Sequence, residues 1–131
     1  MNQAAMQDLG RLLLRLAVGG LVLLHGVAKL RNGLGGIEGM LEARGLPAML
    51  AYLSLVGEVV APLMVIVGLH ARIGGAVIAI NMVVAIALVH MRELGRLNDT
   101  GGWAIELQAM FLAGAVVVAL IGPGRYSANQ R

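Results

Sequence analysis

The stretch Leu9–Leu30, LGRLLLRLAVGGLVLLHGVAKL, decides the fold, because it is an apolar run interrupted by only three cations and one histidine. A helix of about 20 apolar residues spans the hydrocarbon core of a bilayer, since each residue adds about 1.5 Å. Three more apolar segments of similar length follow, at residues 48–69, 73–91 and 103–121. The sequence therefore predicts an integral membrane protein that crosses the bilayer four times.

The composition of the 131-residue chain also favours a membrane protein. Hydrophobic residues make up 59% of it and charged residues 13%, whereas soluble chains average roughly 45–50% apolar and 25% charged residues. No cysteine is present, which excludes disulfides and thiolate chemistry. The net charge of +3 comes from basic residues that are scattered singly. We therefore expect a lipid environment and no nucleic-acid partner.

The connection between the first two segments, residues 31–47, carries its own helical pattern. Ile37, Met40 and Leu41 fall on one helical face, and charged residues occupy the other sides. Gly45 is placed to end a short helix, and Pro47 is placed to begin the next one. The pattern predicts a short amphipathic helix over residues 36–44 that lies in the membrane interface.

The second connection, His70–Arg72, is only three residues long. A connection this short joins antiparallel neighbours. With four spans both termini lie on one side of the membrane, and Lys and Arg residues divide evenly between the two sides, so their count assigns no orientation. We predict an all-α fold with a single domain: an antiparallel bundle of four transmembrane helices, with the interfacial helix between the first two spans.

Polar residues inside the apolar segments are the candidate functional residues. Ionisable groups at membrane depth are costly, so they tend to face the bundle interior and to be paired. Two of them are cations and two are acids, and their charges balance. The candidate ligand-binding residues are Arg15, His25, Lys29, Glu58, Asn81, His90 and Glu106.

Relative depth along antiparallel helices predicts which of these residues meet. Arg15 and Glu58 are expected to form one contact. A second polar cluster is expected from His25, Lys29, His90 and Glu106. Pro62 follows Glu58 by one turn and is expected to kink the second span, which would open space beside the acid.

Structural roles compete with ligand binding for each of these residues. A buried ion pair can serve only to fix helix register, and Lys29 is close enough to a boundary to extend towards water. His25 and His90 have similar depth on different helices, as the two axial ligands of a haem would. Polar neighbours explain both histidines equally well, so we expect neither a haem nor a metal site.

The order of these motifs resembles a known family. From about Leu9 to Ser127, the chain is similar to the DoxX family of small four-helix membrane proteins. The resemblance implies a place in a redox system of the bacterial inner membrane, beside a membrane-bound or peripheral redox partner. The motifs that carry it are His25-Gly26-Val27-Ala28-Lys29, Gly57-Glu58, Asn81-Met82, Gly101-Gly102-Trp103 and Gly122-Pro123-Gly124.

Three functions are consistent with the sequence. The first is a DoxX-like membrane subunit that binds a quinone or similar small molecule, with Lys29 or His25 donating hydrogen bonds and Glu58 or Glu106 accepting them or relaying protons. The second is a non-catalytic assembly or interaction factor whose buried charges are structural. The third is transport of a small solute, which would require a homo-oligomer because four helices are few for a pathway. The first is our prediction, and the sequence leaves open whether the chain itself catalyses a reaction.

Overall fold

The computed structural model describes residues 1–131, and all of its regular secondary structure is helical. The five helices are α1 (Gln3–Asn32), α2 (Gly35–Ala43), α3 (Ala48–Val67), α4 (Ala71–Glu93) and α5 (Glu106–Ile121). Helices α1, α3 and α4 are each long and apolar enough to cross a membrane, whereas α5 is apolar but only 16 residues long. This confirms the prediction of an all-α membrane protein.

The fourth apolar segment begins its helix later than predicted, at Glu106 instead of Trp103. Trp103 is held in the preceding loop, because its indole Nε1–H donates to the Leu94 carbonyl oxygen over 2.7 Å. The same loop is closed by a backbone hydrogen bond from Ala104 to Arg96. These bonds fix the segment outside the helix, although its composition matches that of the helix.

Helix α3 departs from regular α geometry in its middle. It contains a π turn at Val56–Val60, which includes Glu58, and the regular helix resumes at Ala61–Val67 with Pro62 in its first turn. Proline has no N–H and crowds the preceding turn of a helix, and a π turn is one way in which a helix accommodates this. The structure therefore shows a π turn that includes Glu58, and the kink expected at Pro62 stays a prediction.

Glycines let neighbouring helices approach closely, as small residues do in membrane proteins. Gly26 of α1 lies so close to the Glu58 backbone of α3 that a Cβ there would overlap it. A Cβ on Gly57 would lie 2.6 Å from Cβ of Asn81 in α4, and one on Gly75 would lie 2.8 Å from the Ala115 carbonyl oxygen in α5. Helix α3 is thus held tightly against both α1 and α4 at the level of Glu58.

The predicted short helix between the first two spans is present as α2. It packs through Leu34 and Leu41 onto Ala51 at the start of α3, in a small core separate from the main one. Arg44, which follows α2, donates from Nη2 to the Leu88 carbonyl oxygen over 2.7 Å. Helix α2 is therefore fastened across one end of α3 and α4.

Candidate functional site

A buried ion pair joins α1 to α3. Lys29, in the last turn of α1, donates from Nζ to Oε2 of Glu58. Glu58 is only 5% exposed, whereas the Lys29 side chain is partly exposed. Gly26 lies one turn before Lys29 and packs against the Glu58 backbone. The close approach at Gly26 is therefore what brings the lysine within reach of the carboxylate.

Lys29, the cation of this pair, borders a cavity of about 530 Å³ between α2, α3 and α4. Thirteen of the 17 lining residues are hydrophobic. The volume lies within the range of roughly 300–1,000 Å³ that small-molecule sites occupy, and mostly apolar walls with a few polar groups are typical of such sites. The four other lining residues are Lys29, Ser54, Gly57 and Asn81.

The polar groups of the cavity differ in how far they are already hydrogen-bonded. The Ser54 hydroxyl donates to the Ala51 carbonyl oxygen over 2.6 Å, so its oxygen remains available as an acceptor. The Lys29 ammonium has three donors and uses one of them on Glu58. The half-buried Asn81 amide makes no hydrogen bond within the protein. The wall therefore offers free donors from Lys29 and Asn81 to a ligand with acceptor oxygens.

The predicted contact between Arg15 and Glu58 is wrong, and Arg15 is bonded to four backbone carbonyls instead. Its Nε donates to Val65 over 2.9 Å and its Nη2 to Ile66 over 2.9 Å, at the C-terminal end of α3. Its Nη1 donates to Pro123 and Tyr126 in the chain after α5, over 3.0 and 2.7 Å. Arg15 is 1% exposed. A buried cation is thus compensated by the carbonyl dipoles of a helix end and not by an acid.

The predicted cluster of His25, Lys29, His90 and Glu106 does not form. His25 is exposed, with Nδ1 2.9 Å from the Leu21 carbonyl oxygen and its ring edge-on to Phe111. Glu106 is exposed as the first residue of α5, where its negative charge suits the helix N-terminus. Of the four residues, only Lys29 borders the cavity.

His90 has polar neighbours of its own, away from the cavity. Its Nδ1 lies 3.2 Å from Oε1 of Glu93, and its Nε2 lies 3.4 Å from Nε2 of Gln108. An Nδ1–H that donates to Glu93 and an Nε2 that accepts from Gln108 would satisfy both ring nitrogens. No hydrogen bond joins His90 to His25, and no three His, Asp or Glu side chains converge where they could hold a metal ion.

The structure therefore brings together three of the seven predicted residues, namely Lys29, Glu58 and Asn81. Sequence analysis omitted Ser54 from the site, although its spacing of one turn before Glu58 places both on one helical face. It also omitted the apolar wall that α2 and α4 contribute. Apolar residues in a membrane chain carry no signal that separates a cavity wall from a lipid-facing surface.

Comparisons with known proteins identify the family of this chain. The DoxX family model matches residues 10–91. The chain is 33% identical over 129 residues to a protein of Mycobacterium tuberculosis named "Uncharacterized membrane protein Rv3486", covering 90% of this chain and 78% of that protein. It is 32% identical over 109 residues to "Putative oxidoreductase CatD" of Bacillus subtilis, covering 81% of this chain and 78% of that protein. No solved structure matches the chain. The segment that the family model matches contains most of α1, all of α2 and α3 with the Lys29–Glu58 pair, and most of α4. The chain belongs to the DoxX family.

Proposed function

We propose that this chain is a membrane subunit of a redox system, that it binds a quinone or a similar small molecule in the cavity beside Lys29, and that it supports a partner oxidoreductase. One observation carries the proposal: a cavity with apolar walls is lined by Lys29, which forms an ion pair with an acid that is 5% exposed. Ionisable groups at membrane depth tend to mark functional sites. The relative named as an oxidoreductase supports the link to redox chemistry.

The cavity residues suit a quinone, which combines polar carbonyl oxygens with an apolar tail. The apolar walls from α2, α3 and α4 would take the tail and exclude water. Lys29 and Asn81 hold donors that the protein leaves free, and they would orient the carbonyl oxygens. A bound quinone would accept electrons from the partner and take up protons. Glu58, which accepts a hydrogen bond from Lys29 at Oε2, would hold the ammonium in place at the edge of the cavity.

We also propose that all four long helices cross the membrane as an antiparallel bundle. In support, the chain after α5 meets the end of α3, where the Ala128 N–H donates to the Val67 carbonyl oxygen over 3.1 Å. The Arg72 N–H, at the start of α4, donates to the Arg131 carbonyl oxygen over 3.3 Å. Helix α5 is about 24 Å long, and a bilayer can thin locally around a span of this length.

We expect the chain to lie in the bacterial inner membrane and to cross it several times. A membrane-bound or peripheral redox protein would be the partner, and the chain could form a homo-oligomer in the same membrane. Helix α2 lies across the cavity and is fastened to α4 by Arg44. It is the element through which a partner could sense whether the cavity is filled.

Binding of a short-chain quinone analogue to the purified protein in lipid nanodiscs tests the proposal. A ligand that binds only the folded protein raises its thermal unfolding temperature in a saturable way. We expect this rise for the native chain and for R31M, which removes an exposed cation two residues from Lys29. We expect K29M to lose most of the rise, because the ammonium donors are gone.

Two results would contradict quinone binding. One is a native protein whose unfolding temperature does not respond to any quinone concentration. The other is a K29M variant that responds as the native protein does. Either result, with folding unchanged, would favour the assembly role, in which the ion pair between Lys29 and Glu58 only holds α1 against α3.

A further inference from the structure

A second cleft lies at the opposite end of α1 from the Lys29 cavity. Its volume is about 260 Å³, and only one of its eight lining residues is hydrophobic. Arg11, which lines it, precedes Lys29 by 18 residues of continuous helix, or about 27 Å. The cleft is therefore a separate site, at the end of the helices where α1 and α4 begin and α5 ends.

Three arginines and one aspartate set the charge of this cleft. Arg11 comes from α1, Arg72 from the start of α4 and Arg125 from the chain after α5, and Asp8 is the acid. Asp8 offsets one of the three cations, so the lining carries a net positive charge. Arginines from three separate elements thus line one cleft, whose volume is several times the share of one water molecule, about 30 Å³.

Two of the arginines are held in place by the protein. Arg72 donates from Nη1 to the carbonyl oxygens of Ala119 and Leu120, over 3.2 and 2.6 Å, so it closes the C-terminal end of α5. Arg11 donates from Nη1 to Oδ1 of Asp8 over 3.3 Å. Beyond this bond the Arg11 guanidinium makes no hydrogen bond within the protein, and its Nε is buried without a partner.

The third arginine is positioned by a glycine turn. The Asp8 carboxylate accepts from the Arg125 N–H over 3.3 Å, which ties the chain after α5 to the start of α1. Gly124 has φ +77°, and a Cβ there would lie 3.1 Å from Oδ1 of Asp8. The Arg125 guanidinium lies 5.7 Å from the centre of the Tyr126 ring and makes no hydrogen bond within the protein. Its donors are therefore free.

We propose that this cleft binds a phosphate group, presented by an anionic lipid or by a soluble phosphate. Arginine matches phosphate well because its planar guanidinium donates two parallel hydrogen bonds to neighbouring oxygens. The arginines lie near the ends of α1, α4 and α5, where membrane-spanning helices would meet the lipid headgroups. A headgroup phosphate that entered the cleft would lie beside all three arginines.

Native mass spectrometry of the detergent-purified chain, mixed with phosphatidylglycerol, tests the proposal. R125Q removes a cation that makes no internal hydrogen bond, so it should leave the fold intact. R11Q/R125Q removes two of the three cations. R31Q/R92Q makes the same change of charge at exposed arginines outside the cleft. Circular dichroism checks that each variant remains helical.

We expect R11Q/R125Q to weaken lipid binding by about tenfold or more, R125Q to weaken it less, and R31Q/R92Q to bind as the native chain does. Diacylglycerol, which lacks the phosphate, should bind no better to the native chain than to R11Q/R125Q. Competition by inorganic phosphate would identify a site for free phosphate, and its absence would identify a site for lipid headgroups. Equal phosphatidylglycerol binding by the native chain, R11Q/R125Q and R31Q/R92Q would overturn the proposal.

Discussion

Replacement of Arg15 by methionine tests whether this buried cation is structural. The substitution keeps an apolar stem of similar length and removes the guanidinium that donates to Val65, Ile66, Pro123 and Tyr126. None of these four carbonyl oxygens accepts another backbone hydrogen bond. R15M should therefore release both the end of α3 and the chain after α5.

The expected loss of stability follows from these bonds. A hydrogen bond to a charged group contributes about 1.5–3 kcal/mol, and a buried polar group left without its partner costs about 1–3 kcal/mol. Water can reach some of the released carbonyls, and removal of a buried charge offsets part of the loss. We expect the free energy of unfolding to fall by about 3–5 kcal/mol, as when one partner of a buried charged pair is removed.

Reversible unfolding in mixed micelles of mild detergent and SDS measures this change. The matched control is R92M, which removes an exposed arginine that makes no side-chain hydrogen bond, and which should change the free energy of unfolding by no more than about 0.5 kcal/mol. R15K should recover part of the loss, because an ammonium has fewer donors than a guanidinium.

A loss below about 1 kcal/mol in R15M, equal to that of R92M, would refute the structural role of Arg15. If quinone binding then disappeared in R15M while its stability was unchanged, Arg15 would be the ligand-binding residue that sequence analysis predicted.

Further predictions concern residues of α1 and the arginine that follows α2. G26A should reduce the free energy of unfolding by about 1–3 kcal/mol, because its Cβ overlaps the α3 backbone. G20A, where a Cβ meets nothing within 4 Å, should instead stabilise the helix by up to about 1 kcal/mol, so denaturation of the two variants should shift in opposite directions. H25A should leave quinone binding unchanged in the nanodisc assay, because His25 is exposed and lies outside the cavity lining. R44M should make the backbone of α2 exchange hydrogen for deuterium faster, because the bond that fastens α2 to α4 is lost.

The apolar segments could be predicted from the sequence because a membrane span requires a long run of hydrophobic residues. The prediction of 9–30 lies within α1, and the predictions of 48–69 and 73–91 match α3 and α4 to within about two residues at each end. The start of α5 could not be predicted. Trp103 is as apolar as the helix that follows, and it stays in the loop because its indole bonds to Leu94 and Ala104 bonds to Arg96.

The ion pair shows why partners are harder to predict than buried residues. Balanced charge and relative depth indicated Arg15 as the partner of Glu58. Lys29 is the partner instead, because Gly26, one turn before Lys29, brings α1 against α3. The carbonyl oxygens that bind Arg15 belong to residues of any type, so they leave no mark in the sequence. Packing contacts and backbone acceptors, and not residue type, decide which charges meet.

The content of quinone in the purified protein tests the central claim most directly. The native chain would be isolated from bacterial membranes in mild detergent, and its organic extract would be compared with those of A85F and A76F. Ala85 lines the cavity, whereas Ala76 is exposed elsewhere on α4, so both variants add the same ring and only one of them fills the cavity. The account predicts a stoichiometric quinone in the native chain and in A76F, and little in A85F. Equal quinone in all three proteins, or none in the native chain, would contradict it.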